Sequence, residues 1–244
     1  MTAISCRDCP LRGKPIFTSF SREELTFMER FKVGELSVEA GTTILMEGSN
    51  APQLFTVMRG MGLRHKTLPN GRRQVVNFLF PGDLIGLQAG LMGEMKHSVE
   101  AATEMLLCVF RRDELWQLFR TSPERAYDLT WLAAVEEHLL GETVATLGQR
   151  TASQRMAWAL LKLDERIRAV TPKQGSSVPL PFKQQDLADA LGLSLVHTNK
   201  TLGSFRRAQI ASWTEGRLSI NAPERLREIA LIEDAASPEL RPLM

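Results

Sequence analysis

The chain has 244 residues, room for one large domain or two small ones with a real core. No apolar run approaches the ~18 residues needed to span a bilayer, and the opening MTAISCRDCPLRGK lacks the apolar stretch of a secretory signal, so a cytoplasmic protein with no membrane partner is expected. The formal charge of +2 is too small to argue for nucleic acid, although the part after residue 150 carries 13 basic against 10 acidic residues, the sign a polyanion-binding region has.

Cys6 and Cys9 form a Cys-x-x-Cys near the start. With Cys108 they are the only cysteines, too few for an extracellular disulfide framework. Ser21 to Phe31 predicts a short helix: Ser21 caps it, Glu23 and Glu24 suit its first turn, and Leu25, Met28 and Phe31 share a face. From Gly34 to Gly93 lie ten of the 17 glycines, separating short runs of β-formers such as LFTVMRG. LRHKTLPNGRRQVVNFLFPGDLIGL holds two more runs, joined where Asn70-Gly71 supplies the positive φ of a hairpin turn. Such spacing predicts a small barrel or roll. Cys108, inside MLLCVF, is expected in the core.

At Ser122-Pro123-Glu124 the period changes to that of a helix, with a hydroxyl cap, a proline in the first position and an acid in the first turn. Leu129, Leu132, Val135, Leu139, Val144 and Leu147 follow before Arg150. A helix of that length extends ~40 Å. Its apolar stripe is either a dimer seam, through Leu129, Leu132, Val135 and Leu139, or the face of an intradomain core helix. ASQRMAWALLKLDERI predicts another amphipathic helix, and Thr171 to Pro181 a loop marked by proline and glycine. Two short helices then follow, Lys183 to Leu191 and Leu195 to Arg207. ASWTEGRLSI reads as a hairpin turning at Glu215-Gly216, and a last helix starts at Pro223 before a fraying tail.

Leu187 and Leu191 lie four apart on the first of the two short helices, with small Ala188 where a second helix must come close. Gly192 can end that helix in a left-handed conformation, and Ser194 can cap the next. Helix, turn, helix and hairpin describe a winged helix–turn–helix; the competing reading is a helical pair inside an enzyme domain. In the winged form the second helix offers Leu195, Val196, His197, Asn199 and Lys200 to base edges of double-stranded DNA. Asn199 can pair bidentately with adenine, Lys200 can reach guanine or a phosphate, and Val196 can meet a thymine methyl. Arg206, Arg207 and Arg217 read as phosphate contacts.

This layout resembles the cyclic-AMP receptor protein/FNR superfamily of bacterial transcription regulators over nearly the whole chain. AGTTILMEG, LFTVMRG, NGRRQVVNFLFPGDLIG and DLADALGLSLVHTNKTL fall in the family's order and spacing. The resemblance implies an α+β chain: a cupin-like, cyclic-nucleotide-binding-like β-roll sensor (1–121), a long dimerisation helix (122–150) and a C-terminal winged helix–turn–helix (151–244). It also implies a homodimer on a near-palindromic operator and contact with RNA polymerase.

Three departures from the family pattern shape the functional expectation. Cyclic-AMP binders place a glutamate for the ribose after Ile-Gly, and an Arg-Ser pair for the phosphate. Here Gly86 is followed by Leu87, and the pair is His97-Ser98. Without the ribose acceptor and the phosphate cation, the residues speak against cyclic AMP. The oxygen-sensing branch holds a [4Fe–4S] cluster on four thiolates; CRDCPLRGKPIF resembles that segment, but the next cysteine position is Pro15, and three cysteines cannot supply four thiolates. Cys6 and Cys9 are left as a redox dithiol, a shared metal site or a vestige. Finally, Val196, Asn199 and Lys200 stand where FNR-type readers carry Glu-x-x-Ser-Arg, so a different half-site is expected. The four histidines, His65, His97, His138 and His197, show no metal-ligand spacing, and no arrangement suggests an enzyme. Against the regulator reading stand a ligand-binding module acting on a protein partner and a thiol or metal redox sensor.

Overall fold

The structure, a computed structural model, describes residues 4–171, 175–232 and 240–244. Two compact units divide these residues. The first comprises 4–66, 76–137 and 240–244; the second comprises 67–75 with the described residues from 138 to 232.

The first unit opens with a 3-10 turn at Cys6–Asp8 and helix α1 (Arg22–Phe31). Ser21 starts α1 as expected: its Oγ accepts the Glu24 N–H at 3.1 Å, and the Glu24 carboxylate accepts the Ser21 N–H at 2.7 Å. The strands are β1 (Lys32–Val38), β2 (Thr43–Leu45), β3 (Gln53–Arg59), β4 (Gly62–Thr67), β5 (Arg73–Leu79) and β6 (Leu84–Ile85). After helix α2 (Leu87–Met92) come β7 (Ser98–Ala101), β8 (Met105–Arg111), α3 (Leu115–Thr121) and α4 (Pro123–Gln149). They form two four-stranded sheets, ordered β1-β8-β3-β6 and β2-β7-β4-β5. Leu54 to Met58 of LFTVMRG are buried without alternation because β3 is covered on both faces. Phe55 and Val57 join Leu79, Ile85, Val99 and Leu107 in one buried cluster, while Leu54 and Met58 turn to a second cluster with Met28, Phe31, Phe110 and Leu118.

Leu129, one of the four residues offered for a dimer seam, lies in that second cluster with 2% of its surface exposed. Its stripe position serves the core of its own unit, so it is not free for a partner. The tail also departs from expectation. Residues 233–239 lie outside the described residues, but 240–244 do not fray. Phe17 and Arg241 form a parallel bridge, Arg241 Nη1 meets Asp83 Oδ1 at 3.0 Å, and Leu243 and Met244 are buried. An ion pair and two apolar side chains offset the entropy of ordering five residues.

The second unit contains α5 (Ala152–Val170), β9 (Ser177–Pro179), α6 (Gln184–Leu191), α7 (Leu195–Arg207), β10 (Ala211–Thr214), β11 (Arg217–Ile220) and α8 (Pro223–Ala230). Met156, Leu160, Leu163 and Ile167 of α5 are buried, as are Leu226 and Ala230 of α8. The β10–β11 hairpin turns through Glu215 (φ 51) and Gly216 (φ 67), and β9 pairs with β11 to complete a sheet ordered β10-β11-β9. The expected loop concealed β9, which is only three residues long and ends in proline; pairing of Val178 with Leu218 is what makes it a strand. Residues 172–174 of that loop lie outside the described residues. In the 67–75 segment Gly71 alone takes the positive φ expected at Asn70-Gly71, and Arg73 pairs with Asp186 and, at 2.8 Å, with Asp189. The division at 137/138 falls inside α4, whereas the expected boundaries followed the ends of that helix.

Candidate nucleic-acid interface

Local chemistry shapes α7, the candidate reading helix. At the start of α6 the Lys183 N–H donates to Asp186 Oδ2 at 2.8 Å. Leu187, Ala188 and Leu191 are 1%, 0% and 2% exposed, so the inner face of α6 is fully used. Gly192 ends the helix at φ 63, ψ 34 and donates its N–H to the Ala188 carbonyl, as does Leu193 at 3.0 Å. Ser194 then caps α7, its Oγ accepting the His197 N–H at 3.2 Å. Thr198, Thr201, Leu202 and Phe205 bury one stripe of α7 at helical spacing. That stripe rotates Val196, His197, Asn199 and Lys200 outward together, and Val196 is 79% exposed. An apolar side chain so open, at the tip of a capped helix, is suited to contact rather than packing.

Arg206 and Arg207 are exposed in the last turn of α7, and among the described residues neither they nor Lys200 pair with a carboxylate. Arg217 differs: its Nε and Nη2 donate to Ser177 Oγ and O at 2.8 and 2.9 Å, so much of its guanidinium is spent holding β9. Sequence reasoning missed Arg155, whose Nε donates to Arg150 O at 2.8 Å and whose Nη1 donates to Leu191 O at 3.2 Å. It ties the C-terminal end of α6 to α5. Its only signal in the sequence was a charge next to the buried stripe of α5.

The four effector-pocket candidates do not assemble a nucleotide site. Gly86 precedes α2 at φ 94, and Leu87 packs against the cluster around Met28 and Phe31. Ser98 Oγ accepts the Glu47 N–H at 3.0 Å. Burial, and then the Arg64 cation, push His97 down to about 4, so it is neutral at pH 7. A ribose finds no carboxylate acceptor at Leu87, and a phosphate finds no cation at His97, so these residues do not fit cyclic AMP.

Cys6, Cys9 and the sequence-distant Cys108 line one small cavity with Lys32, Thr56, Met58 and Met244. Burial raises the Cys6 thiol above its ordinary value and pushes Cys108 up to about 12, which keeps both protonated. Among the described residues no group of three or more His, Cys, Asp or Glu side chains is placed to hold a metal ion. With Pro15 in place of a further cysteine, this donor set does not fit a four-thiolate cluster.

A winged helix–turn–helix following a β-roll defines a class of DNA-binding regulator. Residues 35–122 match the family described as cyclic nucleotide-binding domain, and residues 154–229 match Crp-like helix-turn-helix domain. A nitrogen fixation regulation protein FixK from Rhizobium meliloti is 31% identical over 192 residues, 78% of this chain and 83% of that one. Its namesake from Bradyrhizobium diazoefficiens is 29% identical over 227 residues, 92% and 93% of the two chains. The solved structure of FixK2 from Bradyrhizobium japonicum aligns with a TM-score of 0.73 and 26% identity over 83% of this chain and 98% of that one. The chain belongs to the CRP/FNR family of DNA-binding transcription regulators. The relatives are regulators rather than enzymes, and among the described residues no helix is long and apolar enough to cross a membrane.

Proposed function

We propose that the chain acts in the cytoplasm as a homodimer, on a near-palindromic promoter site, with one α7 in the major groove of each half-site and with RNA polymerase as a further partner. The observation that carries this reading is the joint exposure of Val196, His197, Asn199 and Lys200 on a capped helix whose opposite stripe is buried. In this reading Asn199 and Lys200 meet base edges, Val196 meets a thymine methyl, and Arg206 and Arg207 meet phosphates. Arg217 holds the wing and makes at most a secondary phosphate contact. Pairing of two chains uses the part of α4 beyond Leu129: Leu132 and Leu139 are half-buried, and Val135, Leu140 and Val144 are 39%, 41% and 69% exposed. Leu87 at the ribose position and a neutral His97 at the phosphate position support an input other than cyclic AMP.

Binding of the purified protein to fragmented genomic DNA, followed by footprinting, tests the proposal. The expected result is an enriched two-fold site whose halves lie one helical turn apart. Absence of any enriched sequence would overturn it.

A further inference from the structure

Two of the chain's own charges, Arg64 and Glu136, act on His97, the residue that stands at the family's phosphate-cation position. Arg64, the third residue of β4, sits opposite Val99 in the β4–β7 ladder, one residue from the Ser98 register, and is 8% exposed. Its Nη1 pairs with Glu136 Oε1 at 2.6 Å, and its Nη2 donates to the Leu84 carbonyl at 2.6 Å. Asn77, 7% exposed on β5, donates from Nδ2 to the same Glu136 oxygen at 2.7 Å, while its own Oδ1 accepts the Phe78 N–H. One carboxylate from α4 is therefore held by a buried guanidinium and a buried amide, both supplied by strands of the roll. Arg64 Nε is also buried and has no hydrogen-bond partner among the described residues, so the guanidinium retains a donor.

A buried arginine needs an anion. An anion reaches such a site from solution or from the chain itself. Here it is part of α4. We infer that Glu136 is the resident ligand of this site: a carboxylate tethered to α4 and received by Arg64, with Asn77 as the orienting donor. The roll grips α4 with no diffusible effector, and the chemical class that the receptor holds is a carboxylate. Arg64 and Asn77 are accordingly positioning residues for α4, acting on DNA binding only through that helix.

Glu136→Ala, made in the full chain, vacates the receptor without filling it. The expected result is a melting temperature lowered by several degrees, with most of the loss recovered in tens of millimolar formate or acetate and none recovered in chloride of equal ionic strength. Arg64→Met combined with Glu136→Ala removes the receptor and abolishes the recovery. If Glu136→Ala is too unstable to purify, Glu136→Gln replaces it. Gln keeps an acceptor for Asn77 but loses the charge, and a lowered melting temperature that Glu136→Asp does not share supports the same assignment. An unchanged melting temperature in the alanine variant, or equal recovery in formate and chloride, would overturn it. This inference does not rest on the proposed dimer or operator. The melting experiment can fail while footprinting succeeds, and the reverse.

Discussion

Replacing Arg206 and Arg207 together by alanine separates positioning from reading on α7. Both are exposed in its last turn, and no carboxylate among the described residues pairs with either, so their charge is available to the DNA backbone. Each phosphate neutralised by a protein cation releases condensed counterions and contributes about 0.9 to the slope of log K against log salt. Two cations per chain, doubled in the proposed dimer, make about four contacts, so the slope flattens by about 3.6 if all reach phosphate and by about 1.8 if half do. Fluorescence anisotropy of a labelled operator across a series of potassium chloride concentrations measures the slope for wild type and variant. Competition by single-base variants of the operator measures preference, which is expected to stay the same, because backbone contacts position the protein without specifying sequence. A slope equal to that of wild type, or a preference that changes at one base pair, would refute the assignment of these arginines to phosphate.

Asn199→Ala is expected to do the opposite, keeping the salt slope while losing about 1–3 kcal/mol of discrimination at one base pair of each half-site; operator-variant binding checks it. Millimolar cyclic AMP should leave the melting temperature unchanged, since neither Leu87 nor a neutral His97 can replace the missing ribose and phosphate contacts, and a clear upward shift in calorimetry would contradict this. Acidification tests His97. Its folded-state value of about 4 lies below the ordinary 6.5, so between those values the unfolded chain binds the proton and the folded chain does not. Stability therefore falls as pH drops from 6.5 towards 4, by up to about 3 kcal/mol from this one residue. Denaturant titrations of His97→Gln should show a shallower loss over that window, and an identical profile would exclude the histidine.

The cysteine cavity shows how far residue-by-residue reading carries. Counting thiols against four cluster ligands needed only composition, and the structure leaves that count unchanged. That Cys108 shares a cavity with Cys6 and Cys9 was not legible, because β8 and the 3-10 turn at Cys6–Asp8 meet only when α1 and the C-terminal residues close over them. MLLCVF looks like any core strand. An alternation of two decides which side of β8 faces out, but not what lies there.

What the sequence determined by itself is chemistry acting within a few residues. Ser21 and Ser194 accept hydrogen bonds from the amides three positions ahead, Gly192 tolerates a positive φ, and Thr198, Thr201, Leu202 and Phe205 share a helical face whatever surrounds them. Those rules placed α1, α6, α7 and the wing hairpin, and with them the exposed face of α7 proposed to read DNA. What only the tertiary structure decided depends on partners distant in the chain. Leu129 is core rather than seam, β9 is a strand because β11 lies beside it, and the last five residues are held by Phe17 and Asp83. Nothing local marks out Arg64 or Glu136; the roll buries the arginine and brings the α4 carboxylate to it. A buried charge left without an anion is costly, so the packing of α4 on the roll and the ion pair support one another.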